Sequence, residues 1–404
     1  MKSDPIVIVG SGPAGLAAGL ALIASGREVR IYERYANSDK VGGLINIWAP
    51  AVKALRSMGV DVDAMGLTAT HSSFHSASGH HRATVRFDAA INDEYGGYFF
   101  GLLRPDLYTS LRSALPAGTI QADTTVSSFV DKGDHVEVVF ADGITTSTPL
   151  LIGADGINST IRPGLWGETP IREHNLQAIL GNTYDIPAGV PLDQCIIRHS
   201  RTLQGSYAPF VHEGRPGIGW YFVEAWDPST PPLSQEELWA HANELAKDFP
   251  AEQQELVAHS EGTLVRWQIR DRGKPLKQWS KGRVTLAGDA AHATSPYAAY
   301  GAGMSIVDGY FIAQSLANVD MTDTSAVAAA LQHYDSLRVE HTTGQIEQAY
   351  MLGQLFHHSS AVVRPIRDFL LDRTPFLQKM VGEKSPGEIA KQISVMGDGI
   401  RGAA

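Results

Sequence analysis

Three short stretches of this chain combine glycine, a carboxylate and the start of a helix, a combination suited to holding phosphates and polyols. The first, Gly10-Ser11-Gly12-Pro13-Ala14-Gly15, follows the apolar run Ile6-Val7-Ile8-Val9 and opens a small-residue segment; Glu33 ends the next apolar run. Gly10 permits a tight turn, Gly12 lets backbone approach a pyrophosphate, and Gly15 allows helix and strand to pack closely, while Glu33 can accept both hydroxyls of an adenosine ribose. An acid in that place disfavours a 2′-phosphate. The expected ligand is therefore an adenosine with a free 2′-hydroxyl, as in FAD or NAD.

The second stretch is Leu286-Ala287-Gly288-Asp289-Ala290-Ala291-His292, followed by Pro296 and by Gly301-Ala302-Gly303 at the head of a helix. Asp289 comes directly after a buried strand, so its carboxylate is presented at the sheet edge, where it suits a polyol hydroxyl. A helix N-terminus beside it suits a group that becomes anionic. Taken alone, this is equally an ordinary strand–turn–helix. The third stretch, Ile152-Gly153-Ala154-Asp155-Gly156-Ile157-Asn158-Ser159 with Arg162 in the following turn, is by itself only an Asp-Gly turn.

The elements needed to position these residues are legible around them. Ile6–Val9, then Pro13–Ala24 closed by Gly26, then Glu28–Tyr32 read as a βαβ unit, which predicts a parallel sheet. Gly42–Trp48 reads as an irregular Gly-rich passage before a helix at Ala49–Met58. Between Thr68 and Gly97 the composition shifts to Ser, His and alternating apolar residues, as in strands of another layer. Helical spacing returns at Asp106–Leu115, strands follow at Val126–Val130 and His135–Phe140 with a turn at Asp142-Gly143, and Leu150–Gly153 returns to the first sheet. Ile171–Arg270 is strand-rich, with a helix at Ser234–Asp248. Val284–Ala287 rejoin the first sheet, Met304–Leu316 form a helix, and the rest is helical, punctuated by Pro365 and Pro375. This gives an α/β chain with three expected regions. A Rossmann-like cofactor domain comes from residues 1–70, 98–170 and 271–330, a β-sheet-rich substrate domain from 71–97 and 171–270, and a helical C-terminus from 331–404.

Composition removes other classes. With 404 residues, 43% of them apolar and 8% aromatic, the chain can bury a large core, so a disordered chain or a small stapled scaffold is excluded. Its 33 basic and 43 acidic residues leave a formal charge of −10, which offers nucleic acid or an anionic membrane no global positive field. The single cysteine, Cys195, has no partner for an intramolecular disulfide and no metal-ligand spacing, which points to a reducing cytoplasm. Met1–Pro5 lack a basic leader and no apolar run reaches the roughly 18 residues of a membrane span, so a soluble, untargeted protein is expected. His71, His75, His80 and His81 look like a metal cluster but lack carboxylates at ligand spacing; they read as loop or surface histidines.

Together, the three stretches and their order resemble the single-component FAD-dependent aromatic hydroxylases, the family of para-hydroxybenzoate and salicylate hydroxylases, from Pro5 to about Asp372. The resemblance implies that Gly10, Ser11, Gly12, Pro13, Ala14 and Gly15 line the FAD pyrophosphate, with Glu33 on the ribose and Arg34 as the basic residue that often follows. It places Arg104 at the flavin phosphate and ribityl region, a Val126 backbone group at the adenine, and Asp289 on the ribityl chain. Gly301, Ala302, Gly303 and Met304 fall beside the flavin ring. Asp155, Gly156 and Arg162 match a motif serving both FAD and NAD(P)H. Two departures stand out: Ala299-Tyr300-Gly301 replaces the usual Gly-Gln-Gly, adding tyrosine bulk near the flavin, and Gly42-Gly43-Leu44-Ile45 replaces Gly-x-Gly-Ile.

The activity so implied is hydroxylation of an activated aromatic or heteroaromatic molecule with NADH or NADPH and molecular oxygen, through a flavin hydroperoxide. Alternatives are a flavin oxidase or dehydrogenase of the same fold, or a non-catalytic flavoprotein that sequesters a planar ligand. A halogenase is disfavoured, because no Trp-x-Trp-x-Ile-Pro segment is present. Tyr221 and Tyr297 are the candidate catalytic residues. Alternation sets Tyr221 on the opposite face from Trp220 and Phe222, and Tyr297 follows Pro296, where relatives place a residue near the reacting ring. Arg198 and His199 are candidate partners for an anion or phenolate.

Overall fold

A computed structural model describes residues 4–36, 42–63, 65–95, 97, 99–298, 300–397 and 399. Ile6-Val7-Ile8-Val9 are all buried and form the middle of a five-stranded sheet in the order 284–286, 151–153, 6–9, 29–32, 120–121. Its neighbouring strands are parallel, with Val7 opposite both Leu151 and Arg30. Unbroken β-branched runs suit strands covered on both faces. Helix Pro13–Ala24 begins with proline, whose missing N–H costs nothing in the first turn. Its alanines also let helix Gly301–Leu316 press close. A Cβ on Gly309 would lie 2.4 Å from the Ala18 nitrogen, so only glycine fits there.

The second large layer is a seven-stranded sheet in the order 265–271, 172–183, 215–225, 204–212, 194–199, 71–76, 81–85. Period-two alternation divides its side chains. Trp220 and Phe222 join Leu238, Phe249 and Leu256 in a core under helices Gln235–Ala246 and Ala251–Ala258, whereas Tyr221 and Val223 belong to the opposite face. Ser234 and Glu237 form a capping box that fixes the start of the first of these helices.

Some expectations are corrected. Gly42–Trp48 is not irregular throughout, because Leu44–Ile47 is a strand paired antiparallel with Phe99–Leu103. Leu-Ile-Asn-Ile lacks clean alternation and its partner is distant in sequence, so no local pattern announced it. The histidine-rich segment forms the strands His71–Ser76 and His81–Val85, as the alternation between Thr68 and Gly97 suggests, with His80 and His81 exposed and His71 and His75 half-buried. The region after Thr324 is helical as expected, but Pro365 does not interrupt it: it sits in the first turn of helix Val363–Arg373. Two π-helical stretches, Gln354–His358 and Gln378–Glu383, have no counterpart in the sequence reading. Among the described residues, no helix is long and apolar enough to cross a membrane and no His/Cys/Asp/Glu group could hold a metal ion.

Candidate active site

The first glycine loop is built as its sequence requires. Gly10 adopts φ +100°, and a Cβ there would lie 2.4 Å from the Ala154 carbonyl oxygen; one on Gly15 would lie 2.0 Å from that of Gly10. Gly12 differs, since its nearest neighbour would be the Tyr108 hydroxyl at 3.9 Å, leaving an open approach to the uncapped N-terminus of helix Pro13–Ala24. Glu33, buried, accepts hydrogen bonds from the Ser11 backbone N–H (2.8 Å) and hydroxyl (2.9 Å) and from Tyr35 N–H (3.0 Å). Three acceptances leave a carboxylate with remaining lone-pair capacity. Arg112 donates to the Ser11 hydroxyl at 2.8 Å, so the loop is braced from the helix Arg104–Ser113 as well. Arg34 is exposed, its guanidinium 4.9 Å from the Tyr35 ring, and Val126 is buried at the start of strand Val126–Asp131.

Asp289 follows the strand Val284–Leu286 and the positive-φ Gly288. Its side chain is reachable by solvent, yet it lies in a concave recess whose desolvation pushes the carboxyl pKa up, against the charges of His292 and Arg104. Arg104 is exposed, donates to the Tyr108 hydroxyl at 3.0 Å and runs along Gly42, where a Cβ would lie 2.6 Å from its Cδ. The turn is anchored from below by Asp308. Its fully buried carboxylate accepts from Gly288 N–H (2.8 Å), His292 Nε2 (2.5 Å) and Arg338 Nε (2.8 Å).

The Asp-Gly turn serves that same recess. Asp155 Oδ2 accepts from Thr160 N–H (2.6 Å) and Ile161 N–H (3.2 Å), and Arg162, with no exposed surface, donates to the carbonyls of Ala290 (2.9 Å) and Ala291 (2.8 Å). In this structure Arg162 buttresses the helical turn that carries Asp289. Ala299 lies outside the described residues. The bulk of Tyr300 is absorbed by the core rather than projected outward: its ring stacks on Trp48 at 5.0 Å. Gly303 makes room for it, since a Cβ there would lie 2.8 Å from that ring. Helix Gly301–Leu316 begins with no side-chain cap, which leaves the amides around Gly301, Ala302 and Gly303 to other acceptors, and Met304 is buried behind them.

Beside this strip lies an aromatic cavity. The large sheet contributes Ser72, Phe74, Ile197, His199, Gln204 and Tyr221 from four adjacent strands, while Trp48, Phe99, Pro296 and Tyr297 close the side toward Asp289 and Gly301. Gln345, Gln348, Ala349, Leu352 and Phe356 come from the long helix Thr324–Gly353 and its π-helical continuation. Alternation separates the two expected anion partners. His199 faces the cavity, stacked on Phe356 at 3.6 Å, whereas Arg198 points to the opposite face and binds Glu252 at 2.6 Å. The Tyr297 hydroxyl meets His357 Nε2, and His357 Nδ1 lies 2.8 Å from the Thr202 carbonyl. A carbonyl only accepts, so Nδ1 carries the proton and Nε2 accepts from Tyr297. Burial pushes the Tyr297 and Tyr221 hydroxyl pKa values well above the phenol range. Cys195 is buried, its thiol pushed up to about 12 by desolvation, and acts as packing.

The family profile for an FAD binding domain matches residues 4–349. The 6-hydroxynicotinate 3-monooxygenase of Pseudomonas fluorescens is 30% identical over 336 residues, 79% of this chain and 84% of that protein. The chain belongs to the FAD-dependent aromatic hydroxylases. A 3-hydroxybenzoate 6-hydroxylase from Klebsiella oxytoca is 26% identical over 379 residues, covering 90% of this chain and 91% of that one. Klebsiella pneumoniae HpxO, solved with FAD and uric acid, shares the fold with a TM-score of 0.82 at 22% identity, over 98% of this chain and 97% of that one. The hydroxylase is accordingly an oxidoreductase, an FAD-dependent monooxygenase of small aromatic molecules that uses O2, with NAD(P)H as the family's usual reductant. Its residues fit FAD on structural grounds: an open glycine cradle at an uncapped helix, an accessible carboxylate in a recess, and a second uncapped helix start beside it.

Several cavity residues had escaped the sequence reading. Gln345, Gln348, Ala349, Leu352 and Phe356 lie on one helical stripe, so their spacing was available, but nothing local showed that the stripe faced a cavity rather than solvent. His357 depends on the π-helical turn, which has no sequence rule, although such turns recur at functional sites.

Proposed function

We propose that the hydroxylase holds its ring substrate in the cavity lined by Tyr221, Tyr297 and His199, with FAD along the adjoining strip. Gly10, Ser11, Gly12, Pro13, Ala14 and Gly15 take the pyrophosphate, and Glu33 with Arg34 and Val126 takes the adenosine end. Arg104 and Asp289 hold the ribityl region, Gly301, Ala302, Gly303 and Met304 border the flavin ring, and Asp155 supports the turn beneath it. The observation that carries this reading is that one segment joins both parts: Pro296 and Tyr297 line the cavity and lie between Asp289 and Gly301.

FAD, when bound, supplies electron transfer from the nicotinamide and the activation of oxygen. The protein supplies placement, dryness and charge. Tyr297 is fixed by His357, and Tyr221 receives the Gln204 amide at 3.4 Å, so both hydroxyls have limited freedom and face the same space. The helix start at Gly301 offers amides that stabilise negative charge with little reorganisation. The regions 1–70, 98–170 and 271–330 form the cofactor part of this reading, 71–97 and 171–270 the substrate part, and 331–404 the helical cover. NADH or NADPH approaches the same strip, and a reducing cytoplasm suits a chain with one cysteine. In the test, Asp289→Ala loses bound FAD on gel filtration while its melting behaviour without added FAD is retained; unchanged flavin content and turnover contradict the assignment.

A further inference from the structure

The lining of the cavity is uncharged. Among the described residues that line it there is no Lys, Arg, Asp or Glu, and its only imidazole is His199. Burial, reinforced by the charges of His357, Arg82 and Arg367, pushes the pKa of His199 well below the ordinary imidazole range, so the ring is neutral at pH 7. The arginines whose charges act on His199 are already paired. Arg82 binds Asp372 at 2.7 Å, Arg367 binds Asp368 at 2.6 Å and the carbonyls of Leu355 and Phe356, and Arg198 lies on the far side of the sheet.

The same lining is rich in neutral hydrogen-bonding groups with unused capacity. His199 is 2% exposed and neither ring nitrogen completes a hydrogen bond of good geometry, although the Gln204 side chain lies beside it. Gln204, 5% exposed, uses its amide nitrogen on Ser206 at 2.9 Å and leaves Oε1 without a partner. Gln345 and Gln348 face these groups from the long helix with further amides. Buried polar atoms are normally satisfied, so this set marks the place of ligand groups that complete it. A neutral imidazole and carboxamides each offer donors and acceptors, the pattern that matches a lactam or a hydroxy- or amino-heteroarene edge. An ionised carboxylate placed here would be buried without a cation.

We infer that the substrate is an uncharged planar heteroaromatic, carrying adjacent hydrogen-bond donor and acceptor groups and no carboxylate, read by His199, Gln204 and the two glutamines. The inference rests on the cavity being the substrate site. It sets this hydroxylase apart from the relatives named for 6-hydroxynicotinate and 3-hydroxybenzoate, which are rings that carry a carboxylate. The flat aromatic walls, Phe74, Phe356 and Trp48, fit either kind of ring, so the discrimination lies in the charge.

The test is calorimetric titration of the FAD-loaded protein with ring pairs that differ only in the carboxylate: 2-hydroxypyridine against 6-hydroxynicotinate, and 4-hydroxyquinoline against its 2-carboxylate. The expected result is that each carboxylate weakens binding at least about 100-fold, the scale of an unpaired buried charge. Ala349→Trp, which fills the cavity, abolishes the binding of the neutral rings. Carboxylated rings that bind as tightly as their partners, with Ala349→Trp abolishing that binding, overturn the substrate class and leave the cavity reading standing. Binding that is indifferent to Ala349→Trp, or no binding by any of the four rings, overturns both.

Discussion

The carboxylate of Asp308 joins the turn that presents Asp289 to the helices behind it, so Asp308→Ala tests how the recess is held. Burial alone would raise the pKa of this carboxyl, but the charges of His292 and Arg338 and the bonds from His292 and Gly288 outweigh it and hold it below the usual range. The stabilisation is therefore present above the unfolded carboxyl value and lost only as pH falls through the lower folded value, so it is complete at pH 7. Removing Asp308 leaves Arg338, fully buried, with the Gln392 side chain at 2.8 Å and the Met304 carbonyl at 3.2 Å but without its anion. A buried charge stripped of its partner costs about 3–5 kcal/mol. With unfolding entropy of about 2.1 cal/mol/K per residue, the chain melts with roughly 0.8 kcal/mol/K, so the expected fall in Tm is about 4–6 °C. Loss of the acceptor for Gly288 N–H, worth about 1–1.5 kcal/mol, loosens FAD by about tenfold. Scanning calorimetry and flavin fluorescence titration measure the two effects. The double variant Asp308→Leu with Arg338→Met recovers most of the Tm but not the FAD affinity. A Tm within about 1 °C of the parent and unchanged FAD affinity for Asp308→Ala would refute the reasoning.

Other outcomes follow from the cavity. Tyr297→Phe and Tyr221→Phe keep FAD but each removes a hydroxyl worth about 1 kcal/mol, so substrate binding weakens about fivefold and more of the NAD(P)H consumed ends as hydrogen peroxide; product and peroxide assays that show full coupling in both variants would contradict their placement. Burial, with the charges of His358 and Arg367 and despite the bond to Thr202, lowers the pKa of His357 to about 4. Between pH 6.5 and 4 the unfolded chain takes up a proton that the folded chain does not, so stability falls as pH falls through that window. His357→Phe makes the decline of Tm across that window shallower, while His199 and His341, also lowered, keep part of it; an unchanged slope would remove His357 from the account.

Much of the cofactor strip was legible because its physics is local. Ile6–Val9 announce a buried strand by composition, and the spacing of Gly10, Gly12 and Gly15 announces a tight turn into a helix; a Cβ on Gly15 would meet the Gly10 carbonyl within that turn, while the close approach at Gly10 is to the distant Ala154 carbonyl. Alternation alone placed Tyr221 opposite Trp220 and Phe222, and the same rule separates His199 from Arg198. What stayed hidden depends on partners far along the chain. Leu44–Ile47 becomes a strand only because Phe99–Leu103 lies beside it. Tyr300 read as bulk near the flavin because its stacking partner, Trp48, precedes it by most of the fold. Arg162 read as part of a nucleotide motif; that its Nη1 also donates to the Ala290 and Ala291 carbonyls is a contact invisible without the fold. The cavity itself is assembled from strands, a long helix and two π-helical turns, so no single window of sequence could outline it.

The most direct test of the account is anaerobic bleaching of the bound flavin by NADH and by NADPH, followed with and without a neutral hydroxy-heteroarene, in the parent chain and in Ala349→Trp. Because the cavity and the cofactor strip meet at Pro296 and Tyr297, the account predicts that a bound ring speeds bleaching and that filling the cavity removes the acceleration. Bleaching that ignores every ring, or an acceleration that survives Ala349→Trp, would contradict it.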